Sequence, residues 1–151
     1  MQVAVIEFAR NVCGLSANTT EIDEKTEHPV IDILPEQRKI YKKGGTMRLG
    51  TYPCVLEKNT LAHKLYNKNG IFERHRHRYE VNPKYVEFLE SKGLKFSGKS
   101  PDGCLMELVE LPDHPYFIAC QFHPEYQSRL ENPAPLFTGL VHTAFKRKFG
   151  K

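Results

Sequence analysis

The spacing of apolar residues along the chain predicts short helices and strands in mixed order. The first apolar residues repeat at helical spacing: Val5, Phe8, Ala9 and Val12. They predict a helix that ends near Gly14, because glycine favours the left-handed turn that closes a helix. The polar, acidic stretch 16–28 is predicted to be a loop, and Pro29 to Leu34 a short strand.

The remaining pattern predicts a mixed α/β domain. Lys42 to Gly45 has the composition of a flexible loop. Further strands are predicted at 46–49, 54–56, 71–78, 94–97, 105–111 and 116–122, with a hairpin turn at 100–103. Helices are predicted at 61–65 behind Thr60, at 82–90 with Asn82 as its cap and Pro83 in its first turn, and at 136–149. This order predicts a central sheet with an antiparallel extension.

The composition is that of one ordinary globular domain. The chain has 151 residues, 40% of them hydrophobic, and a net charge of +4 that by itself does not indicate a nucleic-acid-binding protein. The four cysteines, Cys13, Cys54, Cys104 and Cys120, follow no paired spacing, which favours a reduced, cytoplasmic protein. The sequence shows neither a membrane-spanning run nor a signal peptide.

One apolar segment, 117–122, leads directly into a histidine and a carboxylate, His123 and Glu125. A carboxylate placed in this way can fix the tautomer of a histidine and stabilise its imidazolium, as in the base of a nucleophilic catalytic site. Such a base needs a nucleophile on a strained turn of the G-x-C-x-G or G-x-S-x-G type, and the sequence contains no such turn. From these residues alone, a catalytic base and a structural or surface histidine are equal alternatives.

Arginine and histidine alternate in the segment 73–80. In a strand, one face would carry Arg74, Arg76 and Arg78, and the other His75, His77 and Tyr79. Three arginines on one face can clamp a carboxylate or a phosphate, although a solvated edge strand gives the same pattern. Metal binding by the two histidines is a third interpretation. Because no further ligand stands near them in the sequence, no metal site is predicted.

Two further segments are weak candidates for a functional site. Gly44 to Gly50 is glycine-rich, but its spacing fits neither a P-loop nor a dinucleotide-binding fingerprint. Cys13 stands beside a glycine at a helix end, without the strand and the earlier glycine that a nucleophile turn requires. We interpret it as structural, together with the other three cysteines.

Five segments together resemble a known family. They are 1–10 (MQVAVIEFAR), 18–21 (NTTE), 44–50 (GGTMRLG), 74–82 (RHRHRYEVN) and 121–125 (QFHPE). In this combination the sequence resembles, over essentially its whole length, the C-terminal part of the class I (triad) glutamine amidotransferase domain of the CTP synthase family. QFHPE is shared by many class I amidotransferases, whereas RHRHRYEVN and GGTMRLG are much narrower.

The resemblance implies a fold and a set of site residues. The fold would be a flavodoxin-like open sheet with an antiparallel extension. Its first strands and its nucleophile elbow would lie outside the sequence, so that 1–151 is a partial amidotransferase domain without a synthetase domain. By motif, His123 would be the general base and Glu125 its orienting partner. Gln2 would contact the bound glutamine, Glu21 its amino group and Arg78 its carboxylate.

The resemblance also implies what the parent protein does. A Cys-His-Glu triad would hydrolyse glutamine, and the ammonia would pass to a synthetase domain that aminates UTP to CTP with ATP and magnesium. GTP would act as an effector of a cytoplasmic homotetramer, while this chain itself would bind glutamine and no cofactor, metal, nucleic acid or membrane. Without the nucleophile the isolated chain is expected to be inactive, with apolar surface exposed where central strands are missing.

Two other functional classes compete with an enzyme fragment. The first is a non-catalytic amidotransferase-like module that senses glutamine or docks onto a synthetase. The enzyme is favoured because a domain released from catalysis has no chemical reason to keep a base, its carboxylate and the three binding residues. Nucleic-acid binding through the arginines is weaker still, since no aromatic residues are spaced for base stacking.

Overall fold

Helices and strands alternate along residues 1–33 and 47–150, the part of the chain that the computed structural model describes. Numbered within these residues, the helices are α1 (Gln2–Asn11), α2 (Leu61–Tyr66), α3 (Pro83–Ser91) and α4 (Pro135–Phe149). The strands are β1 (Ala17–Thr19), β2 (His28–Asp32), β3 (Arg48–Leu56), β4 (Gly70–His77), β5 (Glu80–Val81), β6 (Lys95–Lys99), β7 (Met106–Glu110) and β8 (Ile118–Cys120). A 3-10 turn, Pro124–Tyr126, follows the last strand.

The strands form two sheets of different character. A three-stranded sheet has the order β1-β2-β5, with β1 parallel and β5 antiparallel to β2. A five-stranded sheet has the order β4-β3-β6-β7-β8, and all its strand pairs are antiparallel. Only residues 78 and 79 separate β4 of the larger sheet from β5 of the smaller one.

One core cluster joins the two sheets. Helix α1 buries one face of its 3.6-residue repeat, Val5, Ile6, Phe8 and Ala9. This face packs with Val30 and Ile31 of β2 and, in the same cluster, with Phe96 and Val109 of the larger sheet. A second cluster lies under α2 and α4 and contains Cys54, Leu56, Ala62, Ile71, Leu108, Phe122 and Leu136. Burial of these side chains is the main stabilising contribution to both sheets.

Most of the predicted elements are confirmed, including the helical cap that the sequence indicates. The side chain of Asn82 accepts from the backbone N–H of Lys84, and Thr60 accepts from that of His63 in the same way. Gly14 and Gly93 follow α1 and α3 with φ of +70° and +102°, the left-handed conformation in which glycine is not strained. The loop predicted at 42–45 lies outside the described residues.

The two strands predicted at 46–49 and 54–56 are one strand, β3, so that prediction was wrong. Gly50 and Pro53 interrupt the sequence pattern, but β3 pairs with β4 continuously from Arg48 to Val55. On its other side β3 pairs with β6 only at Val55 and Leu56. A proline is tolerated there because the strand is an edge on that side, where a missing N–H interrupts no ladder.

The loop predicted at 16–28 was also wrong in part. Ala17–Thr19 is a strand, and it pairs in parallel with β2, which begins at His28. A strand this short carries almost no periodicity, so its pairing comes from the contact with β2 and α1 and not from its own pattern. Within the described ranges, no helix is long and apolar enough to cross a membrane.

Gly98 is the position where the larger sheet leaves no room for a side chain. A Cβ at Gly98 would lie 2.8 Å from Cδ1 of Leu108 and 2.9 Å from Sγ of Cys54. Gly98→Ala is expected to lower the free energy of unfolding by ~1–3 kcal/mol through overpacking, as measured by urea denaturation. Gly70→Ala is the control, since its Cβ would meet only the Cys54 carbonyl at 3.6 Å. Equal stability of the two variants would contradict this packing.

Candidate active site

The histidine and the carboxylate that follow β8 are in direct contact. Nδ1 of His123 lies 2.7 Å from a carboxylate oxygen of Glu125. The 3-10 turn that begins after His123 brings the two side chains together, and the ring stacks on Tyr126 with its centroid 5.2 Å away. Because Nδ1–H donates to the carboxylate, Nε2 carries no proton and is the basic nitrogen. The pair therefore has the geometry of a general base that is oriented by a carboxylate.

His123 lies in a cleft of about 270 Å³ that opens at the first turn of α1. The lining residues are Met1, Gln2, Val3, His77, Cys120, Gln121, Phe122 and His123. The backbone N–H of His123 donates to the Arg74 carbonyl at 2.8 Å, which fixes the start of the 3-10 turn against β4. A helix N-terminus at the cleft favours negative charge there, because its first N–H groups lack intrahelical partners.

Of the three predicted binding residues, Gln2 is the one that lines the cleft together with His123. Its side-chain amide donates to the carbonyl of Tyr79 at 2.9 Å, and Gln121 donates to the same carbonyl at 2.8 Å. Gln121 was not predicted as a site residue, although it stands inside the QFHPE segment. The two glutamines join α1, the end of β8 and the link between the two sheets.

Glu21 and Arg78 are not among the residues that line the cleft, but both charges act on Tyr79. Burial raises the pKa of the Tyr79 hydroxyl, Glu21 raises it further, and Arg78 lowers it, so both charges act on the same hydroxyl. Arg78 follows the end of β4 at His77 and is half-buried. The predicted three-arginine face therefore holds for Arg74 and Arg76, which are exposed on β4, and was wrong for Arg78.

Beneath the cleft lies a buried cluster of charged and titratable groups, hereafter the Arg48 cluster. It consists of Arg48, His75, His77, Glu80 and Glu107. The Arg48 guanidinium donates to Glu107 at 2.7 Å and lies 3.5 Å from Glu80. It also lies over the ring of Tyr52, 4.5 Å from its centroid. One cation thus faces two buried carboxylates.

Burial sets the charges within the Arg48 cluster. Burial raises the pKa of Glu80 to about 7, against the opposing effect of Arg48. Burial lowers the pKa of His75 to about 3 and that of His77 to about 4, and Arg48 lowers both further. Both imidazoles are therefore neutral at pH 7, and each carries one N–H that must find an acceptor.

The prediction that the two histidines have no third metal ligand nearby was wrong, since Glu107 brings a carboxylate to them. Ligand atoms of His75, His77 and Glu107 all lie within 4.8 Å of one another. Nδ1 of His75 lies 2.8 Å from Nε2 of His77, and Arg48 donates to Oε1 of Glu107. Among the described residues, Nε2 of His75 and Oε2 of Glu107 are buried without a hydrogen-bond partner.

The fully or partly buried cysteines, Cys13, Cys54 and Cys120, have the properties of structural thiols. Burial raises the pKa of Cys54 and of Cys120 to about 12 in each case, and burial also raises the pKa of Cys13. Cys120 lines the cleft beside His123, but a thiol with so high a pKa is not a nucleophile at neutral pH. Cys104 is exposed beside the hairpin turn between β6 and β7.

The comparison with protein families decides the fold. The family model for class-I glutamine amidotransferases matches residues 1–143. The chain belongs to the class-I glutamine amidotransferase family. The fold class expected from the resemblance, an open sheet with an antiparallel extension, is confirmed. Within the described residues, β1 and β2 form a parallel pair in the smaller sheet, and the larger sheet is antiparallel throughout.

Relatives of this amidotransferase chain are much longer proteins. It is 62% identical over 147 residues to a CTP synthase of Methanococcus maripaludis, a match that covers 97% of this chain and 28% of that protein. A CTP synthase of Thermococcus gammatolerans is 59% identical over 151 residues, again across 28% of its length. The chain therefore spans a little over a quarter of the curated relatives that it matches.

A solved structure has the same fold. The glutaminase domain of Trypanosoma brucei CTPS with bound acivicin superimposes with a TM-score of 0.87 and is 40% identical in sequence. The superposition covers 95% of this chain and 57% of that one. The similarity to CTP synthases that the sequence motifs indicate is thus confirmed in both sequence and structure.

The raised pKa of Glu80 gives stability a defined pH dependence. A carboxyl whose pKa rises from 4.5 to about 7 on folding stabilises the fold below pH 4.5 and loses that contribution as pH rises through 7. The free energy of unfolding of the unmodified protein, relative to Glu80→Gln, is therefore expected to fall between these pH values. Urea denaturation at a series of pH values measures this difference, with exposed Glu87→Gln as the control for removing a carboxylate. A difference that rises with pH would show that Glu80 is ionised in the folded state.

Proposed function

We propose that this chain forms part of the glutamine-hydrolysing domain of a CTP synthase, in which His123 is the general base and Glu125 orients it. The observation that carries the proposal is the 2.7 Å contact between Nδ1 of His123 and Glu125, in a cleft at the first turn of α1. From the family resemblance, we expect the nucleophilic cysteine immediately before that turn. The base therefore faces the end of the helix where the nucleophile is expected.

The geometry supports a thioester mechanism. His123 Nε2 accepts the proton of the cysteine thiol, and the thiolate attacks the carboxamide carbon of glutamine. The imidazolium, stabilised by Glu125, then protonates the departing nitrogen as the C–N bond breaks, which releases ammonia and leaves a γ-glutamyl thioester. His123 next deprotonates a water that attacks the thioester, and the proton returns to the thiol as glutamate leaves.

Three further residues are proposed to bind the substrate. Glu21 pairs with the α-amino group of glutamine, Arg78 with its α-carboxylate, and Gln2 contacts the substrate from the first turn of α1. In support, Glu21 raises the pKa of the Tyr79 hydroxyl and Arg78 lowers it, so an anion and a cation both act on this one residue. A zwitterionic amino acid needs such a pair.

The activity of the complete protein follows from its relatives. We propose that the released ammonia reaches a synthetase domain that aminates UTP with ATP and magnesium, with GTP as effector, in a cytoplasmic homotetramer. Identities near 60% with CTP synthases, over nearly the whole chain, support this assignment. The chain would then be a partial amidotransferase domain, with its cofactors held elsewhere in the protein.

An exposed apolar face on α4 supports the proposal of a partial domain. The outward side chains Phe137, Leu140, Val141, Phe145 and Phe149 are each between 42% and 68% exposed. Contiguous apolar surface of this kind marks an interface. The glutaminase domain that superimposes on this chain is larger, since the chain covers 57% of it. We propose that the rest of the same domain covers this face.

A non-catalytic, glutamine-binding module is the second candidate. It is favoured by one observation, the raised pKa of all three thiols at Cys13, Cys54 and Cys120, which leaves no activated nucleophile among them. Such a module would bind glutamine without releasing ammonia. The retained base and its oriented carboxylate favour the enzyme.

Removal of the base should lower the activity with glutamine but not the activity with added ammonia. In the complete protein, His123→Ala is expected to lower glutamine-dependent kcat by ~10³-fold or more, because the thiol loses its base. CTP formation from added ammonia should be unchanged, since ammonia bypasses glutamine hydrolysis. The control is His114→Ala, an exposed histidine between β7 and β8. Equal loss with both nitrogen sources would contradict the assignment.

The isolated chain should have no glutaminase activity. Without an activated thiol, the base has nothing to deprotonate, and ammonia release from glutamine by residues 1–151 should stay at the buffer background. A coupled glutamate dehydrogenase assay measures this directly. Turnover that disappears in His123→Ala would show that one of the four cysteines of the chain acts as a nucleophile after all.

A further inference from the structure

The carbonyl of Tyr79 is the point at which the cleft and the Arg48 cluster meet. Three side-chain nitrogens surround it: Nε2 of Gln121 at 2.8 Å, Nε2 of Gln2 at 2.9 Å and Nδ1 of His77 at 3.2 Å. Of these, His77 belongs to both regions, because its ring lines the cleft with His123 and touches the cluster through His75 and Glu80.

The link that carries this carbonyl has no strand of its own. β4 ends at His77 in the larger sheet and β5 begins at Glu80 in the smaller one, so Arg78 and Tyr79 bridge the two sheets. Ladder hydrogen bonds position residues within strands, whereas a bridging peptide depends on side chains and on its local turn. The proposed carboxylate ligand, Arg78, lies on this bridge.

The contacts around His77 determine its tautomer. Its Nδ1 lies 3.2 Å from the Tyr79 carbonyl, 3.4 Å from a Glu80 carboxyl oxygen and 3.2 Å from Nε2 of Gln121. The two hydrogens of that amide nitrogen are donated to the Tyr79 carbonyl and to Oε2 of Glu80. A carbonyl oxygen can only accept and would repel a bare Nδ1, so Nδ1 carries the hydrogen and Nε2 is the acceptor. That acceptor receives a hydrogen bond from Nδ1 of His75 at 2.8 Å. Nε2 of His75 then carries no hydrogen, which agrees with its buried position without a hydrogen-bond partner in the described part of the chain.

We propose that His77 is a positioning residue for glutamine binding: its Nδ1–H, donated to the Tyr79 carbonyl, fixes the bridge that carries Arg78 beside the cleft. His77 itself makes no contact with the reacting atoms in this role. The inference rests on the proposed function, since it assigns a purpose to the bridge only if Arg78 binds the substrate. Loss of this hydrogen bond should therefore raise KM for glutamine more than it lowers kcat.

Two amide substitutions test this role because they imitate different ring nitrogens. Asparagine places its side-chain nitrogen near the position of Nδ1 and keeps the donor to Tyr79. The glutamine side chain of His77→Gln instead places its nitrogen near the position of Nε2, so the donor to Tyr79 is lost. Both introduced side chains are polar and neutral. His77→Asn and His77→Gln therefore differ mainly in the bond that the proposal requires.

Kinetics of the complete protein give the first result. With glutamine, His77→Gln is expected to raise KM ~10-fold with a smaller change in kcat, because one hydrogen bond to the bridge is lost. His77→Asn should stay within ~3-fold of the unmodified KM, since it retains the donor. Activity with ammonia should be unchanged in both. Equal KM values for the two variants, or a loss confined to kcat, would overturn the proposal.

A second measurement does not depend on activity. The ¹⁵N chemical shifts of the His77 ring at pH 7, in the complete protein, report which nitrogen carries hydrogen. The proposal requires a protonated Nδ1 and a bare Nε2, and the opposite tautomer or an imidazolium would overturn it even if a variant failed to fold. If the unmodified protein did not hydrolyse glutamine, the proposed function would fail while this tautomer assignment could still hold.

Discussion

The Arg48 guanidinium is the constraint on which the rest of the structure depends. It is the cation that faces the carboxylates of Glu80 and Glu107, both of which are buried within the described chain. Its partners come from β5 of the smaller sheet and β7 of the larger one, so a single side chain fastens the two sheets together. Loss of one partner from a buried ion pair costs about 3–5 kcal/mol, because the remaining charge is left uncompensated.

The position of the candidate site follows from this arrangement. The cluster holds the end of β4, where His75 and His77 point inward, and the Arg74 carbonyl of the same strand accepts from the backbone of His123. Gln121 then links the end of β8 to the Tyr79 carbonyl. The side chains of His123 and Glu125 are partly exposed, while the charges of the Arg48 cluster are buried beneath the cleft.

The sequence predicted the parts of the site that are close together in the chain. His123 and Glu125 are two residues apart, and one 3-10 turn brings them into contact. The alternation likewise placed His75 and Arg76 on opposite faces of β4, and the structure buries the first and exposes the second. The predicted alternation failed at Arg78 because β4 ends one residue earlier, at His77. The chain passes there from the larger sheet to the smaller one, and the local sequence pattern does not show this change.

The contacts between distant segments could not be predicted from periodicity. Arg48 and Glu107 are 59 positions apart, and they meet only because β3, β6 and β7 are neighbours in the larger sheet. A weak signal was present, since Glu107 and Glu110 interrupt an otherwise apolar strand and a buried carboxylate must find a partner. The identity of that partner depends on tertiary pairing, which one sequence does not encode locally.

The central proposal is that His123 activates a cysteine located before α1. Labelling the complete protein with an electrophilic chloroketone analogue of glutamine, followed by peptide mapping, tests it. One labelled cysteine is expected outside residues 1–151, with labelling that slows sharply in His123→Ala. A label on Cys13, Cys54, Cys104 or Cys120, or labelling that is indifferent to His123, would contradict it.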